Sequence, residues 1–397
     1  MDVDPRHAEG LNRRHFLSGA LLAGGALAAG AVAAPRAAAA AAPGAGAPSA
    51  VLPSRAAVLT TLRLVNDHWI GAHSDPGNNQ WARATYFSGN MAAYRATGEP
   101  RYLAYARTWG EKNGYGLNGG VATRFADNHT AGQAYFDLYD IDRDPAYVAD
   151  IVESLRRMTH GTNTSNSDWT WVDALHMAMP NFVRVAAYLN DPAYLDKLWS
   201  LYSFTKHSVA GGGLYDYTDE LWFRDANYVW PNGSAAHSPN GAKVYWSRGN
   251  GWAFAAHAKV LGLLPPGDNR WPEYRYNPPG LSRALLTRQR ADGFWNVNLA
   301  DPLQHPGPET SGTALFTFGL AYAIRTGLIS RTTYLPVLAR AYNGMVATAV
   351  HPDGLLGYVQ NVGQDPESSQ PVTYNSTADF GVGAFLLAAA EVATLAG

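Results

Sequence analysis

The apolar runs along this chain recur at an almost constant step. Trp81, Asp127 and Asp173 stand 46 residues apart, and each opens an apolar run. Each run closes 20 or 21 residues later on the tyrosine of an acidic-Pro-x-Tyr signature: Glu99-Pro100-Arg101-Tyr102, Asp144-Pro145-Ala146-Tyr147 and Asp191-Pro192-Ala193-Tyr194. A period of this size suits a helix hairpin that must stack on neighbours to bury its apolar face. Equivalent positions in such an array lie on one side of it, so Trp81, Asp127 and Asp173 are predicted around a single mouth.

The second half keeps this logic with longer loops. Gly213-Leu214-Tyr215, Gly293-Phe294-Trp295 and Gly354-Leu355-Leu356 each start a polar loop, and each loop ends at a glycine-bearing helix start: Gly249-Asn250-Gly251, Ser311-Gly312-Thr313 and Gly381-Val382-Gly383. The helices that follow are expected at about 253–262, 313–325 and 383–395. They are apolar on most sides, as buried helices are. Three early and three late units give six inner helices shielded by six outer ones. The last helix carries no polar capping face, so the predicted fold is an all-α closed ring, an (α/α)6 toroid or six-hairpin barrel, rather than an open solenoid. Glycines at the helix starts either allow close helix packing or expose N–H groups to a ligand.

Before this array the pattern changes. Arg13-Arg14-His15-Phe16-Leu17 opens an uncharged Ala/Gly/Leu stretch to Pro35, followed by the small residues Ala37–Ala42. This reads as a twin-arginine export signal over 1–42, then a linker over 43–53 and a catalytic domain over 54–397. The expected location is therefore secreted, cell-surface or periplasmic, with no stable membrane association.

Composition narrows the chemistry. The net charge of −2 gives no reason to expect nucleic acid, and with no cysteine among 397 residues, disulfides and thiolate metal sites are excluded. His129, His176 and His237 have no metal-ligand spacing. No metal or cofactor is expected, and the Gly114-x-Gly116-x-x-Gly119 string follows a helical segment rather than a strand. Twelve Trp and 22 Tyr supply packing area and also flat plates for a ligand.

Two acids stand out. Asp173 lies in Trp169-Thr-Trp171-Val-Asp173, where desolvation would raise its pKa and let it hold a proton near neutrality. The alternative role is a helix N-cap. Asp127 has the same repeat position and the same two readings. Paired carboxylates across a cleft are the usual equipment of glycosidic chemistry. Arg248, in Trp246-Ser-Arg248-Gly-Asn-Gly-Trp252, either holds a carboxylate bidentately or ties down loop carbonyls. Arg224 is a second cation, with Asp225 beside it as a local partner.

These strings, with Trp81-Ala-Arg83, Asp127-Asn-His129-Thr-Ala-Gly-Gln133, Trp171-Val-Asp173-Ala-Leu-His-Met177, Glu309-Thr-Ser-Gly-Thr-Ala314 and Gly357-Tyr-Val-Gln360, make the chain resemble glycoside hydrolase families 88 and 105 over about residues 60–395. The resemblance implies the same toroid. It also implies removal of an unsaturated uronic acid from the non-reducing end of lyase-generated oligosaccharides by hydration of its enol ether. Asp173 matches the general acid/base and Asp127 its partner. Trp81, His129, Trp171, Met177, Arg224, Trp246, Arg248 and Trp252 match positions lining the sugar site. Arg224 stands where better-known members carry a histidine, and Asn128 where a second Asp is frequent. Two other functions compete: a uronate polysaccharide lyase on the same scaffold, with Tyr or His as base, and a non-catalytic carbohydrate-binding toroid.

Overall fold

Each acidic-Pro-x-Tyr signature is the turn of a helix hairpin, for a local reason. The preceding residue takes a left-handed conformation that stops the inner helix: Gly98 (φ 72°), Arg143 (φ 58°) and Asn190 (φ 52°). The proline then opens the outer segment, where a missing N–H costs nothing. The Asp144 and Asp191 carboxylates accept from the backbone N–H two residues on, at 2.9 Å in both turns.

The structure, a computed structural model, describes residues 47–265 and 267–397. Among these the helices are α1 (Arg55–Ala72), α2 (Trp81–Thr97), α3 (Pro100–Lys112), α4 (Ala126–His129), α5 (Ala131–Asp142), α6 (Ala149–His160), α7 (Ala174–Leu189), α8 (Ala193–His207), α9 (Ser247–Leu263), α10 (Trp271–Leu286), α11 (Thr310–Arg325), α12 (Arg331–Thr348) and α13 (Asp379–Val392). A two-stranded antiparallel ribbon, β1 (Tyr215–Asp216) and β2 (Leu221–Trp222), sits in the loop before α9.

The inner ring runs α2, α5, α7, α9, α11, α13 and closes where α13 packs on α2. The outer helices α1, α3, α6, α8, α10 and α12 cover it, so the expected (α/α)6 toroid is the observed fold. Closure needs the backbones to touch. A Cβ on Gly89 would lie 2.3 Å from the Gly383 carbonyl oxygen, and one on Gly383 2.4 Å from that of Thr85. The Arg83–Asp379 ion pair, at 2.7 Å, fastens the same seam.

One expectation needs correction, and one pair of alternatives is resolved. The late inner helices begin three to six residues earlier than expected, so Gly249, Gly312 and Gly381 lie inside α9, α11 and α13. Tight burial outweighs the weak helix propensity of glycine here. Gly312 and Gly383 serve packing: a Cβ on Gly312 would lie 2.6 Å from Ser247 Oγ of α9, and Gly383 abuts α2, while the Gly312 N–H is taken by the Glu309 carboxylate at 2.8 Å. Within the expected linker, the exposed Ser49 and Val51 accept at their carbonyls from Asn343 of α12. The expected export signal lies outside the described residues.

Candidate active site

The 46-residue register puts Trp81 at the first position of α2, Asp127 in α4 just ahead of α5, and Asp173 at the start of α7. All three face one cavity of about 370 Å³ at this end of the ring, together with Trp171, Met177, Arg224, Trp246, Arg248 and Trp252.

Asp173 occupies the N-cap position of α7 but makes no capping hydrogen bond, because its own backbone is already helical (φ −61°, ψ −30°). Its carboxylate is therefore free for the cavity. It is only 7% exposed, and Oδ2 is buried without a hydrogen-bond partner. Burial pushes the Asp173 pKa up, against the opposing cations of Arg224 and Arg248. Asp127 is pushed up to about 7, first by burial and then by the charge of Asp173. Both carboxyls are thus biased towards the protonated form, and the charge of Asp173 adds to that bias at Asp127.

Arg224 reaches this pair through backbone pairing. Val172 N–H donates to the Arg224 carbonyl at 2.8 Å, and Trp171 bridges Asp225, so the segment after β2 runs beside the start of α7. Asn250 holds β2 from the other side, accepting from Trp222 N–H and donating to its carbonyl. Arg224 Nη1 donates to Asp225 at 2.6 Å, the expected local pair, while Nε lies 3.5 Å from Asp173 Oδ2.

Arg248 does not offer a free fork. It is fully buried between the rings of Trp246 and Phe380, at 4.5 and 4.6 Å. Its two terminal nitrogens donate to the carbonyls of Gln360 (2.5 Å) and Asn361 (2.9 Å). Of its two readings, tying down loop carbonyls is the observed one. His129 is the other correction: its ring is fully buried and faces Ser154 at 3.0 Å, away from the cavity. Asn128 also turns away, bonding Thr123 and Asn118.

Sequence reasoning missed the loop that roofs the cavity. Val362, Gly363, Gln364 and Ser368 line it. Gln360 anchors that loop, accepting from Trp246 Nε1 at 2.8 Å and donating to the carbonyls of Asp365 and Ser368. Nothing periodic marks these residues; the only signal was their place in the polar loop after Gly354-Leu355-Leu356.

The aromatic walls are braced by one another. Trp81 stacks on Phe380 at 5.0 Å, and Trp171 on Phe125 at 4.9 Å. Four buried polar atoms on the cavity residues have no protein partner: Asp173 Oδ2, Arg224 Nε, Arg248 Nε and Trp252 Nε1. Such a concentration is rare in a packed interior and marks a place where polar groups await a ligand.

Residues 58–396 match the family described as Glycosyl Hydrolase Family 88. An unsaturated 3S-rhamnoglycuronyl hydrolase of Formosa agariphila is 31% identical over 331 residues, covering 79% of this chain and 84% of that protein. Among solved structures, a glycosyl hydrolase family 88 protein from Bacteroides vulgatus superposes with a TM-score of 0.79 at 35% identity, covering 86% of this chain and 99% of that one. A polysaccharide lyase superposes equally well, with a TM-score of 0.79 at 34% identity, covering 86% and 98%. The match over nearly the whole toroid, joined to a cavity built from two acids, two arginines and tryptophan plates, establishes that this chain belongs to glycosyl hydrolase family 88 and is a glycoside hydrolase.

Proposed function

We propose that this enzyme removes a 4,5-unsaturated uronic acid from the non-reducing end of lyase-generated oligosaccharides, with a rhamnose as the adjoining sugar. The carrying observation is the pair Asp127 and Asp173, both raised in pKa, in one cavity with the Arg224 cation. The similarity to an unsaturated 3S-rhamnoglycuronyl hydrolase supports both the unsaturated uronate and the rhamnose.

In this reading Asp173 holds a proton and delivers it to carbon 4 of the enol ether. Positive charge develops at carbon 5 and is spread onto the ring oxygen. The carboxylate left behind takes a proton from water as the hydroxyl adds to carbon 5. The resulting hemiketal opens to a ketone at carbon 5 and a hemiacetal at carbon 1, which collapses to an aldehyde and releases the adjoining sugar with its hydroxyl restored. Asp127 is itself biased towards the protonated form by burial and by the charge of Asp173. Arg224 attracts the uronate carboxylate, and the tryptophans carry the ring faces.

We also propose export by the twin-arginine route, on the evidence of Arg13-Arg14 and the uncharged stretch after them.

The lyase reading draws support from the polysaccharide lyase neighbour and from an arginine placed to neutralise a uronate. It needs a base for the carbon 5 proton, and among the described residues lining the cavity there is neither a tyrosine nor a histidine. The deciding experiment follows the ultraviolet absorbance of the enol ether. The hydrolase consumes it from unsaturated disaccharides, and Asp173→Asn does not. A gain of absorbance from intact polymers would instead establish a lyase.

A further inference from the structure

The opposite end of the toroid holds a second, larger cavity of about 700 Å³, lined from the C-terminal halves of the inner helices. Its walls are mostly apolar, formed by Ala92 and Ala96 of α2, Ala258 and Leu263 of α9, Phe318 of α11 and Leu387 of α13. Several cations line it. Six helix C-termini carry partial negative charge and favour cations at this end. Three of the cations are also matched by carboxylates: Arg95 with Asp137 at 2.6 Å, Arg184 with Asp140 at 2.6 Å, and Arg325 with Glu391 at 2.5 Å.

Lys259 differs from these. It reaches from α9 across the bore of the ring to α2 and α5, donating to Ser88 Oγ at 2.9 Å and Gln133 Oε1 at 2.8 Å. Both partners are neutral, and Lys259 has no ion-pair partner among the described residues. An ammonium group has three donors, and two are used. Burial lowers the Lys259 pKa to about 8, against the opposing charge of Asp137. The catalytic reading makes no use of it.

We propose that this cavity binds an amphipathic organic monoanion, its carboxylate pairing with Lys259 and its hydrocarbon body lying against the alanine, leucine and phenylalanine walls. The volume is in the range of sites for small organic ligands, and a lysine without an ion pair, set beside apolar walls in a cavity whose other charges include three arginine–carboxylate pairs, orients such a molecule. This site is separate from the one that hydrolyses the sugar and does not depend on what that site acts on.

The test is calorimetric titration of the full-length protein with octanoate and, separately, with octan-1-ol. Octanoate is expected to bind saturably at one site, and the alcohol at least about tenfold more weakly, for want of the charge-assisted hydrogen bond. Lys259→Met should weaken octanoate by a similar factor, and Lys259→Arg should preserve most of the affinity. Absence of saturable octanoate binding, equal binding of the alcohol, or undiminished binding to Lys259→Met would each overturn the proposal. The comparison of acid and alcohol on the unmutated protein stands even if Lys259→Met does not fold.

Discussion

Asp173 Oδ2 and Arg224 Nε face each other at 3.5 Å, and neither atom has a hydrogen-bond partner. The pair is close enough for attraction and too far for a hydrogen bond. A bidentate arginine would hold the carboxylate as an anion. Here burial remains the larger influence, and Asp173 keeps a raised pKa despite its neighbour.

Replacing Asp173 by Asn should abolish its proton transfer and leave substrate binding in place. The expected loss in kcat is at least about a hundredfold, the usual contribution of a positioned general acid. KM should stay within a few-fold, as read from absorbance decay of an unsaturated disaccharide.

Arg224→Gln should move the pH profile. Arg224 lowers the pKa of both Asp173 and Asp127, so its removal raises both and shifts the alkaline limb of kcat/KM to higher pH. KM for an unsaturated uronide should rise because its carboxylate loses a cation. An unmoved limb would mean that Arg224 does not act on the pair.

Asp127 predicts a pH-dependent stability. Its pKa rises from 3.8 to about 7 on folding, so its ionisation opposes the folded state. That penalty is absent below the unfolded value, grows through the interval and is complete above about 7. Asp127→Asn should therefore raise Tm at pH 8 and leave it nearly unchanged at pH 4, as measured by calorimetry.

Arg248 should matter for the roof of the cavity rather than for charge recognition. Arg248→Ala removes the donors to the Gln360 and Asn361 carbonyls and leaves a void between Trp246 and Phe380. The expected cost is about 2–4 kcal/mol in urea denaturation. KM should rise as the loop bearing Val362 and Gln364 loosens.

Gly383→Ala should open the seam of the ring. Its new methyl would press on the Thr85 carbonyl, a backbone atom that cannot turn aside. A loss of roughly 3 kcal/mol or more, or failure to fold, is expected.

The repeat at Trp81, Asp127 and Asp173 was sufficient, from the sequence, to place an aromatic and two acids at one mouth of a helical ring. It worked because the helix hairpin has a fixed length and its turn chemistry, acidic-Pro-x-Tyr, is local. Glycine at the late helix starts misled the boundaries, because propensity acts within one helix whereas Gly89 and Gly383 answer to a neighbouring backbone. His129 and Trp171 each stand two residues from a cavity acid, yet one turns to Ser154 and the other to the cavity. No spacing rule separates them, since side-chain direction follows from what packs beneath each helix. The partners of Arg248 and Lys259 lie 112 and 171 residues away in the chain. The sequence by itself determined the hairpins, their order and the acids on their rims. Only the tertiary structure decided which charges are matched, because burial and pairing are properties of contacts between distant segments.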